Sequence, residues 1–150
     1  MDSNDQGRGQ PPTERRLGVA LWGRLARFYE RQLRLAGGHL RAWDLSVAQF
    51  DVLAQVGAHE GMTQLELAER LLVTQGNITQ LLDKLERRGL LRRCPEGRHK
   101  RLVLTEAGRR LRDAVVPAQE RFQARQFAPL SLAERHQLLV LLRKLQHAQR

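Results

Sequence analysis

Residues 63–105 contain two short helical patterns in succession, and this pairing constrains the fold more than any other feature of the chain. Thr63 followed by Glu66 is a capping-box sequence, which predicts that a short helix begins there. Thr74 is the expected N-cap of a second helix. The apolar residues of that second helix recur at spacings of three and four, as one buried stripe requires: Ile78, Leu81, Leu82 and Leu85.

The hydrophobic period changes after the second helix. Residues 90–93 and 101–104 have the length and apolar content of short strands. Residues 94–100 between them include a proline and a glycine and are typical of a turn. These segments together predict a β-hairpin with a long, basic tip.

Two short helices followed by a hairpin are the order of a winged helix-turn-helix, so the predicted fold is mainly α with a small β-hairpin wing. The second helix of such a motif fits the major groove of duplex DNA, which is about 12 Å wide. Asn and Gln pair with adenine there, Lys with guanine or phosphate, and a glycine lets the backbone approach closely. The candidate contacts on this helix are Thr74, Gln75, Gly76, Asn77, Thr79, Gln80 and Lys84. Taken alone, the helix also fits an ordinary amphipathic helix with one solvated face.

The hairpin concentrates positive charge in a few residues: Arg92, Arg93, Arg98, His99, Lys100 and Arg101. Their mutual repulsion stabilises nothing in a folded monomer, whereas a neighbouring phosphate backbone neutralises it. An arginine at the tip of such a wing can also enter a narrow minor groove. We therefore predict that the wing contacts DNA. The alternative is a charged segment that only aids solubility.

Composition supports a polyanionic partner, because the formal net charge is +10 over 150 residues. We expect no membrane span and no signal peptide, since the chain lacks a long apolar segment and its N-terminus is polar. One cysteine, Cys94, fits a reducing compartment, so a cytoplasmic location is expected. The five histidines are scattered, and no nucleophile–base pair stands out. We expect neither metal site, cofactor nor catalysis.

Four segments are predicted along the chain: a disordered tail at 1–13, an N-terminal dimerisation helix and linker at 14–44, the winged helix-turn-helix lobe at 45–105, and C-terminal dimerisation helices at 106–150. Both flanking segments are rich in leucine, and one small winged motif cannot cover their apolar faces. A two-fold partner would cover them. The alternative is that these helices pack against their own domain.

Landmarks inside the flanking segments predict where helices begin and end. Ser46 with Gln49, and Ser131 with Glu134, are capping boxes, and Thr105 is a further N-cap. The pair Gly37–Gly38 is expected to weaken or end the first helix. Pro117 is expected to kink or break the helix that follows the hairpin.

Residues from about 17 to 148 resemble the MarR family of bacterial regulators. The resemblance lies in the order and spacing of LSVAQFDVL at 45–53, LAERLL at 67–72, QGNIT at 75–79, LDKLERRGL at 82–90 and LVLTEAG at 102–108. It implies a homodimer with one winged motif per subunit and an interface formed by the N- and C-terminal helices. The wing of this family usually carries Asp-x-Arg, and the matching residues are Glu96 and Arg98. Arg98 is therefore the expected minor-groove arginine, with Glu96 as its orienting partner.

The resemblance also implies a small, often aromatic and anionic ligand between the dimer helices and the DNA-binding lobe. The candidate lining residues are Trp22, Tyr29, Trp43 and Phe50, for which core packing is the alternative. The function expected from these observations is a cytoplasmic, ligand-responsive repressor that binds a near-palindromic operator on double-stranded DNA as a homodimer. The alternatives are a sequence-nonspecific nucleic-acid-binding protein and a winged-helix protein-interaction module.

Overall fold

Helices make up most of the described chain, and a hairpin follows the fourth of them. The computed structural model describes residues 12–71 and 75–148, apart from the side chain of Gln75; Thr74 and residues 1–11 of the predicted tail lie outside the described residues. The elements are α1 (Pro12–Leu40), a 3₁₀ turn (Arg41–Trp43), α2 (Val47–Ala58), α3 (Gln64–Leu71), α4 (Gln75–Arg87), β1 (Leu91–Glu96), β2 (His99–Leu104), α5 (Glu106–Gln126) and α6 (Leu132–His147). This is the mainly α fold with a β-hairpin wing that the sequence predicts.

Local capping chemistry sets the start of four of these helices. Three capping boxes are formed by Ser46 with Gln49, Thr63 with Glu66, and Ser131 with Glu134. In each, the hydroxyl accepts the main-chain N–H of the third residue, whose side chain in turn accepts the N–H of the cap. Thr105 caps α5 by accepting the N–H of Gly108. These predicted helix starts are confirmed.

Two predicted interruptions are absent from the structure. α1 already includes Pro12 and Thr13, and it continues through Gly37–Gly38 to Leu40. Ala36 and Leu40 are buried on either side of the two glycines, and this burial outweighs a helix cost of about 1 kcal/mol for each glycine. α5 likewise continues through Pro117, so of the predicted kink or break the break is wrong, and the kink stays a prediction.

The chain divides into two units between Leu35 and Ala36, and the apolar core lies in the second. α2 is apolar nearly all round and forms the centre of that core, with Val52, Leu53 and Val56 fully buried. The predicted stripe of α4 packs there too: three of its members are fully buried and Leu81 is partly buried. Both strands of the hairpin and α5 complete the core with Leu91, Leu102, Leu104 and Val115.

The hairpin is longer and its tip shorter than predicted. β1 and β2 pair antiparallel from Leu91 opposite Leu104 out to Glu96 opposite His99, which leaves Gly97 and Arg98 as the turn. Gly97 has a φ of +59°, a value that two-residue hairpin turns require and that glycine adopts without strain. Because a two-stranded sheet consists of edge strands only, the proline and the charged residues that suggested a loop are tolerated within it.

Each unit also exposes apolar side chains in the single chain. On the first unit these are Leu17, Val19, Leu21, Trp22, Leu25, Phe28, Tyr29, Leu33 and Leu35. On α6 of the second unit they are Leu132, Leu139, Val140, Leu141, Leu142 and Leu145. In the part of the chain that the structure describes, no helix is long and apolar enough to span a membrane. Because large apolar side chains that are exposed together mark contact sites, both faces are candidates for contact with another protein surface.

Gly108, in the first turn of α5, lies against Leu90, the residue before β1, and this close approach gives a test of the fold. A Cβ atom at Gly108 would lie 1.9 Å from the carbonyl oxygen of Leu90, which accepts the N–H of Thr105. Gly108→Ala is expected to lower the free energy of unfolding by about 1–3 kcal/mol, because the backbone must shift. The denaturant midpoint of purified protein at a fixed concentration measures this loss.

Gly38→Ala is the matched control, since in the described part of the chain no atom beyond its neighbours and its own helix backbone lies within 4 Å of the position of its Cβ. It is expected to hold or raise stability, by roughly 0.5–1 kcal/mol, because alanine favours a helix over glycine. An unchanged midpoint for Gly108→Ala would contradict the close packing of α5 on the segment before β1.

Candidate nucleic-acid interface

The outward face of α4 carries four of the seven residues of this helix that are predicted to meet DNA. Gly76, Asn77, Gln80 and Lys84 are exposed, as the burial of the apolar stripe on the opposite side requires. Thr74 and the side chain of Gln75 lie outside the description. Four of the candidate contacts therefore lie on one accessible helical surface, which we call the α4 face.

Thr79 lies at the edge of this face and has a different environment. Its hydroxyl accepts a hydrogen bond of 2.6 Å from the side-chain amide of Gln64 on α3, and it is partly buried. The bond joins the two helices of the helix-turn-helix. Thr79 thus helps to fix the angle between α3 and α4, a role that the sequence pattern did not suggest.

The wing presents its cations in two groups. Arg92, Arg98, His99 and Lys100 are exposed, and Arg98 occupies the turn at the tip. Arg93 and Arg101 are partly buried and hold carboxylates. The six basic residues therefore do not simply repel one another, because two of them are neutralised within the protein.

Arg93 joins β1 to α4. Its Nε and Nη2 atoms donate to one carboxylate oxygen of Glu86, at 3.0 and 2.6 Å, and Nη2 also donates to Asp83. The main-chain N–H of Arg93 donates to the other oxygen of Glu86, at 3.2 Å. Only 16% of the Arg93 side chain is exposed. The hydrogen bonds from Arg93 hold the pKa of the Glu86 carboxyl below its usual value, so Glu86 stays ionised at a lower pH than a free glutamate does.

Arg101 joins β2 to the turn before α3. Its Nε donates to Glu96 at 2.5 Å, and its Nη1 donates to the carbonyl oxygen of Gly61 at 3.2 Å. The main chain of β2 adds two bonds beside it, from the N–H of Gly61 to the oxygen of Leu102 and from the N–H of Leu102 to the oxygen of Met62. The base of the wing is therefore attached to the helix-turn-helix through both strands.

Glu96 has a different partner from the one that the family pattern implies. The expected pair was Glu96 with Arg98, but the carboxylate of Glu96 accepts from Arg101. Arg98 lies in the turn directly after the strand that carries Glu96, whereas Arg101 lies in the opposite strand, where its side chain reaches across the ladder. Glu96 thus braces the two strands of the wing against each other.

The four residues predicted to line a ligand cleft are divided between the two units, and each is described within its own unit. Trp22 and Tyr29 lie on the first unit and are exposed, Trp22 to 78%. Trp43 and Phe50 lie in the second unit and pack in or against its core. The cleft itself stays a prediction. Sequence reasoning did not single out His39, which lies beside Trp43, stacks on Phe122 and is hydrogen-bonded at 2.8 Å to the buried Gln119.

Comparisons with known proteins agree with this arrangement. The family model that matches is that of the MarR family, over residues 43–102. An HTH-type transcriptional regulator of Bacillus cereus is 37% identical over 123 residues, which cover 82% of this chain and 84% of the relative. These matches include the α4 face and the wing.

Solved structures give the same result for the fold. MepR of Staphylococcus aureus, solved as a complex with DNA, superimposes with a TM-score of 0.77 at 26% identity, covering 84% of this chain and 95% of MepR. BpsR of Bordetella bronchiseptica superimposes with a TM-score of 0.78 at 25% identity, covering 85% of this chain and 98% of BpsR. The binding of BpsR to DNA is regulated by 6-hydroxynicotinic acid.

Proposed function

Because this chain belongs to the MarR family of helix-turn-helix transcriptional regulators, we propose that it represses transcription as a homodimer bound to a near-palindromic DNA site in the bacterial cytoplasm. One observation carries the proposal: the exposed polar face of α4 and the exposed cations of the wing belong to the same lobe. A lobe of this kind has one element for base edges and one for the adjoining backbone.

The α4 face reads the major groove. Asn77 and Gln80 offer paired donors and acceptors that match adenine, and Lys84 reaches guanine or phosphate. Gly76 allows the first turn of the helix to approach the duplex closely, since no side chain stands between backbone and DNA. We place Gln75 in the same surface on the sequence pattern alone.

The wing tip enters the neighbouring minor groove. Arg98 is exposed at the turn, where a guanidinium can follow the negative potential into a narrow groove. Arg92, His99 and Lys100 are exposed along the strands beside it and would contact phosphates. Thr79, Arg93 and Arg101 hold contacts within the protein, so we assign direct DNA contact to the exposed residues first.

The homodimer is supported by apolar surface that the single chain leaves in water. Both the described part of the first unit and α6 of the second unit expose rows of large apolar side chains. A two-fold partner that covers such faces sets two α4 helices one turn of DNA apart, about 34–36 Å, which is why the expected site is near-palindromic.

Control by a small ligand is the part of the proposal that rests on relatives. BpsR is regulated by 6-hydroxynicotinic acid, a small aromatic acid. A ligand that prefers one spacing of the two α4 helices shifts the population of dimers and so weakens or strengthens DNA binding. We propose Trp22, Tyr29, Trp43 and Phe50 as residues to test for ligand contact.

The proposal is tested by fluorescence anisotropy with duplex from upstream of the protein's own gene and random duplex of equal length. We expect the upstream duplex to bind at least a thousandfold more tightly at physiological salt, within the usual range of specificity ratios. Equal affinity for both would show a sequence-nonspecific binder. An absence of binding to either would favour a winged-helix module for protein interaction.

A further inference from the structure

Arg93 of β1 makes several hydrogen bonds to side chains of α4, unlike an arginine that is only solvated. Three of its five N–H groups are donated to carboxylates of Asp83 and Glu86, one turn apart on α4. Its main-chain N–H is donated to Glu86 as well. Both the backbone and the side chain of β1 are therefore fixed to α4 at this one residue.

The local charge argues against a phosphate contact at Arg93. The guanidinium of Arg93 stands between two carboxylates, and Arg87 lines the same surface depression, so the four groups together are neutral. The positive charge of Arg93 is therefore already matched within the protein and is not available to a DNA phosphate. Lys100 on β2 is, in contrast, exposed and pairs across the ladder with Pro95. The two cations lie on the same hairpin but have opposite surroundings.

Because Arg93 lies several residues before the turn of the wing, a small change of strand angle at Arg93 moves the tip by a larger distance. The turn begins four residues beyond Arg93, about 13 Å along an extended strand, so a tilt of about 10° at Arg93 displaces the tip by roughly 2 Å. β2 is attached separately, through the bonds of Leu102 with Gly61 and Met62. Together the two attachments determine where Arg98 stands relative to α4.

We infer that Arg93 is a positioning residue that aligns the wing with the recognition helix α4 through Asp83 and Glu86, and that it does not itself contact DNA. The inference rests on the proposed function. It differs from the expectation, drawn from the sequence, that Arg93 is one of the basic wing residues that contact DNA. It also explains why α4 carries two acidic residues although the proposed partner is a polyanion: their carboxylates hold Arg93.

The test measures the dissociation constant of four variants as a function of salt, on upstream and on random duplex: Arg93→Ala, Arg93→Lys, Lys100→Ala and the double variant Asp83→Asn/Glu86→Gln. We expect Arg93→Ala to weaken binding to the upstream duplex at least tenfold without changing the slope of log K against log salt. Lys100→Ala is the matched control, and it should reduce the slope by about 1.8 for the two phosphates that a dimer no longer neutralises.

The other two variants separate alignment from charge. Asp83→Asn/Glu86→Gln removes two negative charges per subunit, so electrostatics alone predicts tighter binding to every duplex. If Asp83 and Glu86 align the wing through Arg93, the double variant should instead lower the ratio of upstream to random affinity at least tenfold. Arg93→Lys keeps the charge but not the fork that spans two carboxylates, and it should lower the same ratio.

A salt slope reduced by Arg93→Ala as much as by Lys100→Ala would overturn the inference, as would a double variant that keeps the wild-type ratio. Far-UV circular dichroism and the mass of the dimer check that each variant folds and assembles. If Arg93→Ala does not fold, the results for Arg93→Lys and for the double variant decide whether Arg93 positions the wing. Should the wild type prefer no duplex, the proposed function fails while the slopes on random duplex still test Arg93. Should it bind neither duplex, both are overturned.

Discussion

Replacing Leu141 and Leu145 on α6 by glutamate is expected to make the protein a monomer and to lower its affinity for the upstream duplex by more than a hundredfold. Both leucines are more than half exposed in the single chain, so the charges need not disturb the monomer's core. In a two-fold interface they would be buried without partners, which costs several kcal/mol per charge. A monomer binds only one half-site. It therefore loses the increase in affinity, about 10²–10⁴-fold, that two linked binding modules have over one.

His136→Glu is the matched control, because it adds a negative charge at an exposed polar position on the side of α6 opposite Leu141 and Leu145. It should stay dimeric and bind DNA with nearly unchanged affinity. Sedimentation equilibrium gives the mass, and anisotropy gives the affinity on the same samples. A double leucine variant that remains dimeric, or a monomer with wild-type affinity, would contradict the proposed assembly.

Gly76→Ala should separate stability from DNA binding. Among the described residues, no atom apart from the chain neighbours and the backbone of the same helix lies within 4 Å of the position of a Cβ at Gly76, so the substitution fits the free protein. Alanine in a helix is more stable than glycine by about 0.5–1 kcal/mol, so the denaturant midpoint should hold or rise. On DNA, the added methyl would stand between the first turn of α4 and the duplex, and affinity should fall at least tenfold.

Gly38→Ala serves as the control for this experiment too, since its Cβ would also meet open space on a helix. It should leave DNA affinity within twofold of the wild type. If Gly76→Ala binds the upstream duplex as tightly as the wild type, the first turn of α4 does not approach DNA closely. The docking of the α4 face would then have to be revised.

The features that the sequence predicted correctly depend on residues close together in the chain. A capping box needs only two residues three apart, as at Ser46 and Gln49, and the stripe of α4 needs only a helical period. The order of helices and strands followed from the same local signals. The resemblance in five short segments then identified the family that the comparisons show.

The features that were missed depend on partners from other elements. Arg93 was taken for a free cation because Asp83 and Glu86 belong to the preceding helix. Arg101 was taken for one because its carboxylate partner, Glu96, lies in the opposite strand. The length of the wing was missed for a related reason. Strand residues in a two-stranded hairpin need not alternate between apolar and polar, so pairing, not composition, sets where the turn lies.

Selection of bound sites from a pool of random duplex tests the central claim most directly, because it assumes no operator. Purified protein is incubated with the pool at physiological salt, and the bound fraction is amplified and sequenced over several rounds. The account predicts enrichment of one inverted repeat whose half-sites are centred about one helical turn, roughly 10 base pairs, apart. A bound pool with no enriched sequence, or with a single unrepeated half-site, would contradict it.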